Sequence, residues 1–595
     1  MVQSFLINPD IADRLSHPNA SPAGIGRLVG ASMALASVEL ATELDAPLVL
    51  FASDPRHADK LEAEIRWFAD DSLTVMHFVE WETLPYDSFS PHQDIISDRL
   101  RVLSLLPALT RGIVIVSGPS LLQRLPPVEY VSARTLELSQ DQALDRRAFI
   151  HSLAAAGYLR VPQVDEHGEY AVRGSLLDVF PMGSDQPLRI DFFDDDVESL
   201  RFFDPESQLS GDKVSSISIL PAREIPLDQQ DIQAFRQRYR ERFEGRPSAS
   251  RVYREVSDGI AHGGIEYYLP LFYSSTASFL DYLPTNAVIF AGEDLEELIE
   301  QSWAEIGERY ELCSLDPERP VLMPAESFHQ PADILEQVGS LQCIDYSAQT
   351  LQEAPAIINP GTSLPPAIRI EARYEDSAQA LMQFLESFDG RVLFTADSPG
   401  RRESIVELLA GRHVHATRCE DWPTFVAGEM PVGVAVAPIE EGALLTLKKL
   451  AIISEHQLFG DKPRQRNRRR RADRDPESII RQLNELEPGS PVVHSEYGIG
   501  RYHGLTTLEA GGVIAEFLYL EYADGDKLYV PVHALDLISR YTGTSPQNAP
   551  LHRLGSDQWA KAKKRAIKRI RDVAAELLDV YARRAARPGH RFHWP

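Results

Sequence analysis

Pro47-Leu-Val-Leu-Phe-Ala52 and Gly112-Ile-Val-Ile-Val-Ser117 are short, uninterrupted apolar runs. Each has the length of a strand buried on both faces, as in parallel sheets covered by helices. Helical patterns surround them, at Arg27–Leu44 and His57–Phe68. Residues 1–134 therefore read as an α/β layer, and the chain as an α/β multidomain protein.

Working outward, residues 135–221 change character. Leu188-Arg-Ile-Asp-Phe-Phe193 and Glu198-Ser-Leu-Arg-Phe-Phe203 sit between Gly, Pro and Asp clusters, the pattern of a small α+β insert built on hairpins. Residues 222–357 return to mixed helix and loop, with Ala287–Ala291 as a further buried strand. Past the proline-rich NPGTSLPP, which starts at Asn359, a second α/β domain is expected over 358–460. Its helices are Ala378–Phe388 and Arg401–Leu409, and its strands Arg391–Thr395 and Val432–Ala437. Arg464–Arg474 (RQRNRRRRADR) lies in a linker over 461–487. Residues 488–554 hold strands at Pro491–His494, Glu516–Tyr522 and Lys527–Pro531, with a hairpin turn at Ala523–Asp526. They read as a small antiparallel β-barrel. Over 555–595, Ser556–Arg584 has helical spacing and a basic opening.

The net charge of −28 argues against a dedicated nucleic-acid coat, although positive charge gathers late, at Arg464–Arg474 and Lys561–Arg571. Cys313, Cys343 and Cys419 form no CxxC pair and read as reduced structural thiols of a cytoplasmic protein. No segment offers the ~20 apolar residues of a membrane span, and the first residues lack the pattern of a signal peptide.

No GxxxxGK[ST], GxSxG or HExxH occurs. The nearest glycine cluster, Gly24-Ile-Gly26-Arg-Leu-Val-Gly30, lacks the lysine that reaches phosphates and the hydroxyl that holds magnesium. It also misses the GxGxxG spacing, and no strand is expected before it. His413 and His415 flank Val414 at the spacing of a surface strand, and two ligands alone do not make a zinc site. Asp194–Asp196 reads as a solvated turn. No catalytic residue, metal ligand or cofactor site is assigned.

Three stretches go beyond composition: Trp81–Leu100 (WETLPYDSFSPHQDIISDRL), Glu166–Phe193 (EHGEYAVRGSLLDVFPMGSDQPLRIDFF), and Val493–Tyr541, from VHSEYGIGRYHGLTTLEAGG to KLYVPVHALDLISRY. In this order and spacing the chain resembles the bacterial transcription-repair coupling factors along nearly its whole length. The resemblance implies that residues up to about 357 are similar to the first domains of UvrB, with 135–221 as an inserted UvrA-binding domain. It implies that the P-loop which UvrB carries is lost around Gly24–Ala34. Residues 358–460 match a family domain of no settled role, and 488–545 a CarD-like RNA polymerase interaction domain. The family's ATP- and magnesium-dependent motor, which translocates on double-stranded DNA, is expected past Pro595. The chain alone is expected to be inactive.

The resemblance also implies site residues. Arg173, Arg189 and Phe193 align with a UvrA-recruiting trio, and Leu508 with a leucine that engages the polymerase β subunit by strand addition. Alternation along Arg189–Phe193 puts Arg189, Asp191 and Phe193 on one face, with Ile190 and Phe192 towards the core. Arginine offers a fixed fork of donors, and an exposed aromatic supplies an anchor. Truncating Arg189 or Phe193 is expected to cost about 1–3 kcal/mol of UvrA binding. The bland alternative packs Phe193 in a satellite core and pairs Arg189 with a nearby Asp. A second class of function, a UvrB-like protein that binds damaged DNA, would need a long aromatic hairpin, which the first domain does not offer.

Overall fold

The computed structural model describes residues 4–16, 23–460, 489–540 and 551, apart from 194–195, 206, 244–246, 293, 317, 371–377, 495–497, 511–512 and 532–537. The expected helix at Ser556–Arg584 and the arginine run Arg464–Arg474 lie outside them. The chain forms two compact units that divide after Lys462.

The first unit is built on a seven-stranded parallel sheet. Its strand order is Ile357–Ile358, Gly24–Ile25, Gln342–Tyr346, Val288–Gly292, Pro47–Ala52, Gly112–Ser117 and Val75–Phe78. Pro47–Ala52 and Gly112–Ser117 are buried at every position. Alternation then divides their side chains between two cores. Leu48, Leu50, Ile113 and Ile115 meet the helices Ser32–Glu43 and Pro55–Phe68. Val49, Phe51, Val114 and Val116 meet the helices Gln93–Leu105 and Leu295–Cys313. Helices on both faces leave no polar face on these strands, so their sequences run apolar without interruption.

The insert hangs on a two-stranded antiparallel stem, Leu136–Ser139 against Ser216–Ile219. Beyond the stem lies a six-stranded sheet, ordered Ser210–Val214, Asp196–Phe203, Leu188–Phe193, Leu176–Val179, Glu169–Arg173 and Leu159–Arg160. Leu177, Val179, Leu188, Ile190 and Leu200 belong to the same core as Phe51 and Val116. The insert is thus packed as part of the body, with its other face outward.

Polar contacts from the helix Gln93–Leu105 clasp that insert. Asp94 Oδ1 lies 2.7 Å from His167 Nδ1, whose ring stacks 4.0 Å from Phe180. His167 and His92 hold the Asp94 carboxyl well below the usual carboxylate range. Ser97 Oγ accepts from the Gly183 amide at 2.8 Å. Arg99 Nε donates to Glu224 Oε1 at 2.6 Å, where the chain leaves the insert; the two side chains are 0% and 1% exposed. Arg99 Nη1 also donates to the Val79 carbonyl at 2.8 Å, and its guanidinium lies 4.2 Å from the Phe78 ring centroid.

The domain over 362–460 carries a six-stranded mixed sheet ordered Thr362–Ser363, Ala443–Leu445, Leu450–Ser454, Arg391–Ala396, Val432–Val436 and Thr417–Arg418. His413 and His415 depart from the expected surface strand. His413 sits in the turn after the helix Pro399–Ala410 with a left-handed φ of 61°, and His415 in the irregular segment that follows. The second unit contains a five-stranded antiparallel sheet ordered Lys527–Pro531, Val513–Glu521, Gly498–Ala510, Pro491–His494 and Ile538–Arg540. Among the described residues no helix is long and apolar enough to cross a membrane.

Replacing Arg99 by Met leaves the Glu224 carboxylate buried without its counter-charge. The expected loss is about 3–5 kcal/mol, the usual cost of breaking a buried ion pair from one side. A denaturant midpoint for the first unit equal to wild type would contradict this.

Candidate functional site

The outer face of the insert sheet gathers the three expected residues. Arg173 pairs with Leu176, and Leu176 with Asp191, so these three side chains point the same way. Arg189 and Phe193 lie two positions to either side of Asp191 and share its face. The turn at Gly174 and Ser175 is tied to the same place: the Phe192 amide donates to the Ser175 carbonyl, and Ser175 Oγ donates to Asp191 Oδ1 at 3.2 Å. Arg173 and Phe193 therefore come to the same end of the sheet.

Phe193 is 69% exposed, whereas Phe192 and Ile190 are buried. Arg173 is exposed, with a 3.3 Å bond from Nη2 to the Pro162 carbonyl. Arg189 differs. Its Nε and Nη2 make a bidentate pair with Asp178 at 2.7 and 3.0 Å, and Asp178 is 1% exposed. Its Nη1 donates to the Gln208 carbonyl and to Ser210 Oγ, both at 3.1 Å. The guanidinium lies 4.6 Å from the Phe203 ring. Its hydrogen bonds to Asp178 raise its pKa further. Arg189 thus spends nearly all of its donors inside the insert, and it shapes the face that Phe193 and Arg173 present. The bland alternative describes Arg189 and fails for Phe193.

In the second unit, Leu508 lies near the end of the strand Gly498–Ala510, opposite Ala515. The strand Pro491–His494 covers only Gly498–Arg501 on the other side, and Tyr502 closes that pairing through Ser490 and Gly489. Among the described residues, positions 503–510 have no strand partner there. That edge offers main-chain donors and acceptors for an added strand.

The glycine cluster at 24–30 opens on a two-residue strand of its own, Gly24–Ile25, and the helix Ser32–Glu43 follows. Two residues are too few to show a strand period. The strand–loop–helix topology of a phosphate loop is present, but its amides are taken by the chain itself. Gly26 donates to the Ile358 carbonyl, Arg27 to Gln349, Leu28 to Ser347 and Ala31 to Glu441, at 2.8–3.0 Å. Val29 donates to Ser32 Oγ at 2.8 Å. Gly30 has φ of 50°, and a Cβ there would collide with the Gly442 carbonyl. A turn of the 362–460 domain occupies the position where a phosphate would approach the helix N-terminus.

The same junction buries Glu64. Burial pushes its pKa up to about 7, against the pull of Lys60, which lies 4.0 Å from Glu64 and 3.6 Å from Glu440. Elsewhere, Asp397, Glu455 and His456 bring ligand-capable atoms within 4.8 Å of one another. Arg401 supplies positive charge there, its Nε donating to Glu455 Oε1 at 3.2 Å.

The chain was compared with known proteins. Residues 136–225 match the UvrB interaction domain, 384–458 the MFD D3 domain, and 486–542 the CarD-like/TRCF RID domain. The transcription-repair-coupling factor of Escherichia coli (strain K12) is 42% identical over 569 residues, covering 96% of this chain and 49% of the relative. That of Haemophilus influenzae is 39% identical, covering 96% and 50%, and that of Bacillus subtilis (strain 168) 26%, covering 95% and 49%. The chain spans about half the length of the curated relatives it matches.

Two outcomes follow for stability. Glu64 keeps its proton in the fold between the usual 4.5 and about 7. Its contribution is therefore full at low pH and is lost as pH rises through 7. Glu64→Gln should melt with wild type at pH 5 and above it at pH 8; a Gln variant less stable at pH 8 would refute the assignment. Arg189→Ala should cost roughly 3 kcal/mol or more by stranding Asp178, and Phe193→Ala less than about 0.5 kcal/mol, read from denaturant midpoints. A loss for Arg189→Ala as small as that expected for Phe193→Ala would show that Arg189 is not structural.

Proposed function

From a chain that belongs to the transcription-repair-coupling-factor family and corresponds to its N-terminal half, we infer a non-catalytic adaptor with two binding surfaces. The insert face recruits UvrA, with Phe193 as the buried anchor, Arg173 as the peripheral fork, and Arg189 holding the strands in register. The open edge beside Leu508 adds a strand of the RNA polymerase β subunit. The adaptor thereby joins a stalled polymerase to excision repair in the cytoplasm. This half needs no cofactor of its own. ATP and magnesium belong to a motor that acts on double-stranded DNA to displace the polymerase.

The observation that carries this reading is the exposure of Phe193. A large aromatic side chain stands clear on a strand whose neighbours are packed, beside an exposed arginine and within a match to the UvrB interaction domain. Complementary docking would bury that ring, and central aromatic anchors of this kind dominate interface energetics. The closed amide contacts at residues 26–29 and 31 support a scaffold role over nucleotide hydrolysis for this half.

Titrating UvrA into the Phe193→Ala protein should show binding weaker by about 1–3 kcal/mol, with polymerase capture intact. Leu508→Arg should lose polymerase capture and keep UvrA. A folded Phe193→Ala protein with wild-type UvrA affinity would overturn the first assignment, and polymerase pull-down by folded Leu508→Arg the second.

A further inference from the structure

A third surface lies on the helix Gln229–Arg242 and the loop that faces it. The helix carries Arg236, Arg238, Arg240 and Arg242, and Arg251 and Arg254 follow closely. This is a local concentration of positive charge in a chain whose net charge is −28. Beside it opens a pocket of about 680 Å³, lined by Arg124, Arg238 and Arg242 and by the loop Ser274-Ser275-Thr276.

The pocket's charges do not balance. Arg242 is neutralised by Glu326, which it meets through both Nε and Nη2. Glu241, also in the lining, keeps its charge because it accepts from the neutral Gln237 Nε2 at 2.9 Å, so the lining carries three arginines against two glutamates. Arg124 and Arg238 hydrogen-bond only to neutral groups, although the Asp333 carboxylate acts on Arg124 from beyond contact distance. Arg124 Nη1 donates to Thr276 Oγ1 at 2.9 Å and Nη2 to the Ala325 carbonyl at 3.1 Å. Arg238 Nη1 donates to the Leu271 carbonyl at 3.0 Å. Among the described residues no carboxylate oxygen lies within 4 Å of either. Partly buried cations held by neutral oxygens keep most of their desolvation cost, which a bound anion would offset. Burial accordingly lowers the Arg124 pKa.

We propose that this pocket, centred on Arg124 and Arg238 with the Ser274–Thr276 hydroxyls, binds a phosphodiester of a DNA backbone. The pocket is open to solvent, a shape that favours an extended phosphate backbone over a small enclosed ligand. Guanidinium forks and hydroxyls are the groups that contact phosphate oxygens without reading bases. The site is therefore sequence-independent, and it gives the adaptor a grip on DNA in this half of the family.

The test is fluorescence anisotropy of a short labelled DNA duplex with the full chain, across a salt series. The Arg124→Gln/Arg238→Gln double variant should bind about tenfold more weakly at low salt, with a salt slope reduced by about one to two. The comparison with wild type cancels any share from the late arginine run. Should the double variant misfold, Ser275→Asp places a carboxylate at the exposed rim without removing a contact, and it should weaken binding in the same direction. Wild-type affinity and slope in a folded variant would overturn the proposal. So would competition at the pocket by inorganic phosphate alone, seen as thermal stabilisation lost in the double variant, with duplex binding unmoved. UvrA and polymerase capture, measured in parallel, should stay at wild-type levels, which separates failure here from failure of the adaptor reading.

Discussion

The buried pair between Arg99 and Glu224 is the constraint on which the first unit depends. Two opposite charges without water must stay together, because either alone is strongly unfavourable in the core. Arg99 stands on a helix that covers the parallel sheet, and Glu224 stands where the chain returns from the insert. With Asp94 on His167 and Ser97 on Gly183, the helix holds the insert at three points. The Trp81–Leu100 and Glu166–Phe193 stretches therefore grip one another directly.

Fixing the insert has a consequence for its outer face. A sheet packed on one side into the common core cannot turn that side outward, so the binding residues occupy the other. Arg189 and Asp178 then keep adjacent strands in place beneath the face, while Phe193 and Arg173 stay available. An arginine in a recruiting trio can thus act through the strand geometry as well as through contact.

Much of this was legible in the residues. The buried strands at 47–52 and 112–117 were, because burial on both faces leaves an unbroken apolar run. The alternation along 189–193 was also legible, because a half-buried strand repeats every two residues. Other features were not. Gly24–Ile25 is too short to carry a period, so the strand that opens the glycine cluster went unseen. The pairing of Arg189 with a nearby Asp was one of the readings the strand allowed, but which Asp depended on the register of the hairpin; the 441–442 turn against Gly30 joins residues far apart in sequence, and no local pattern encodes it. His413 and His415 had strand spacing by coincidence, since a helix end places them in a turn and the irregular segment that follows. Arg124 and Arg238 meet only in the folded chain.

Hydrogen–deuterium exchange of the full chain, with and without UvrA and with and without RNA polymerase, tests the two-surface account most directly. Slowed exchange is predicted at 173–176 and 189–196 with UvrA, and at 503–510 with polymerase, each without the other. Protection by both partners at one region, or no protection at either, would contradict it.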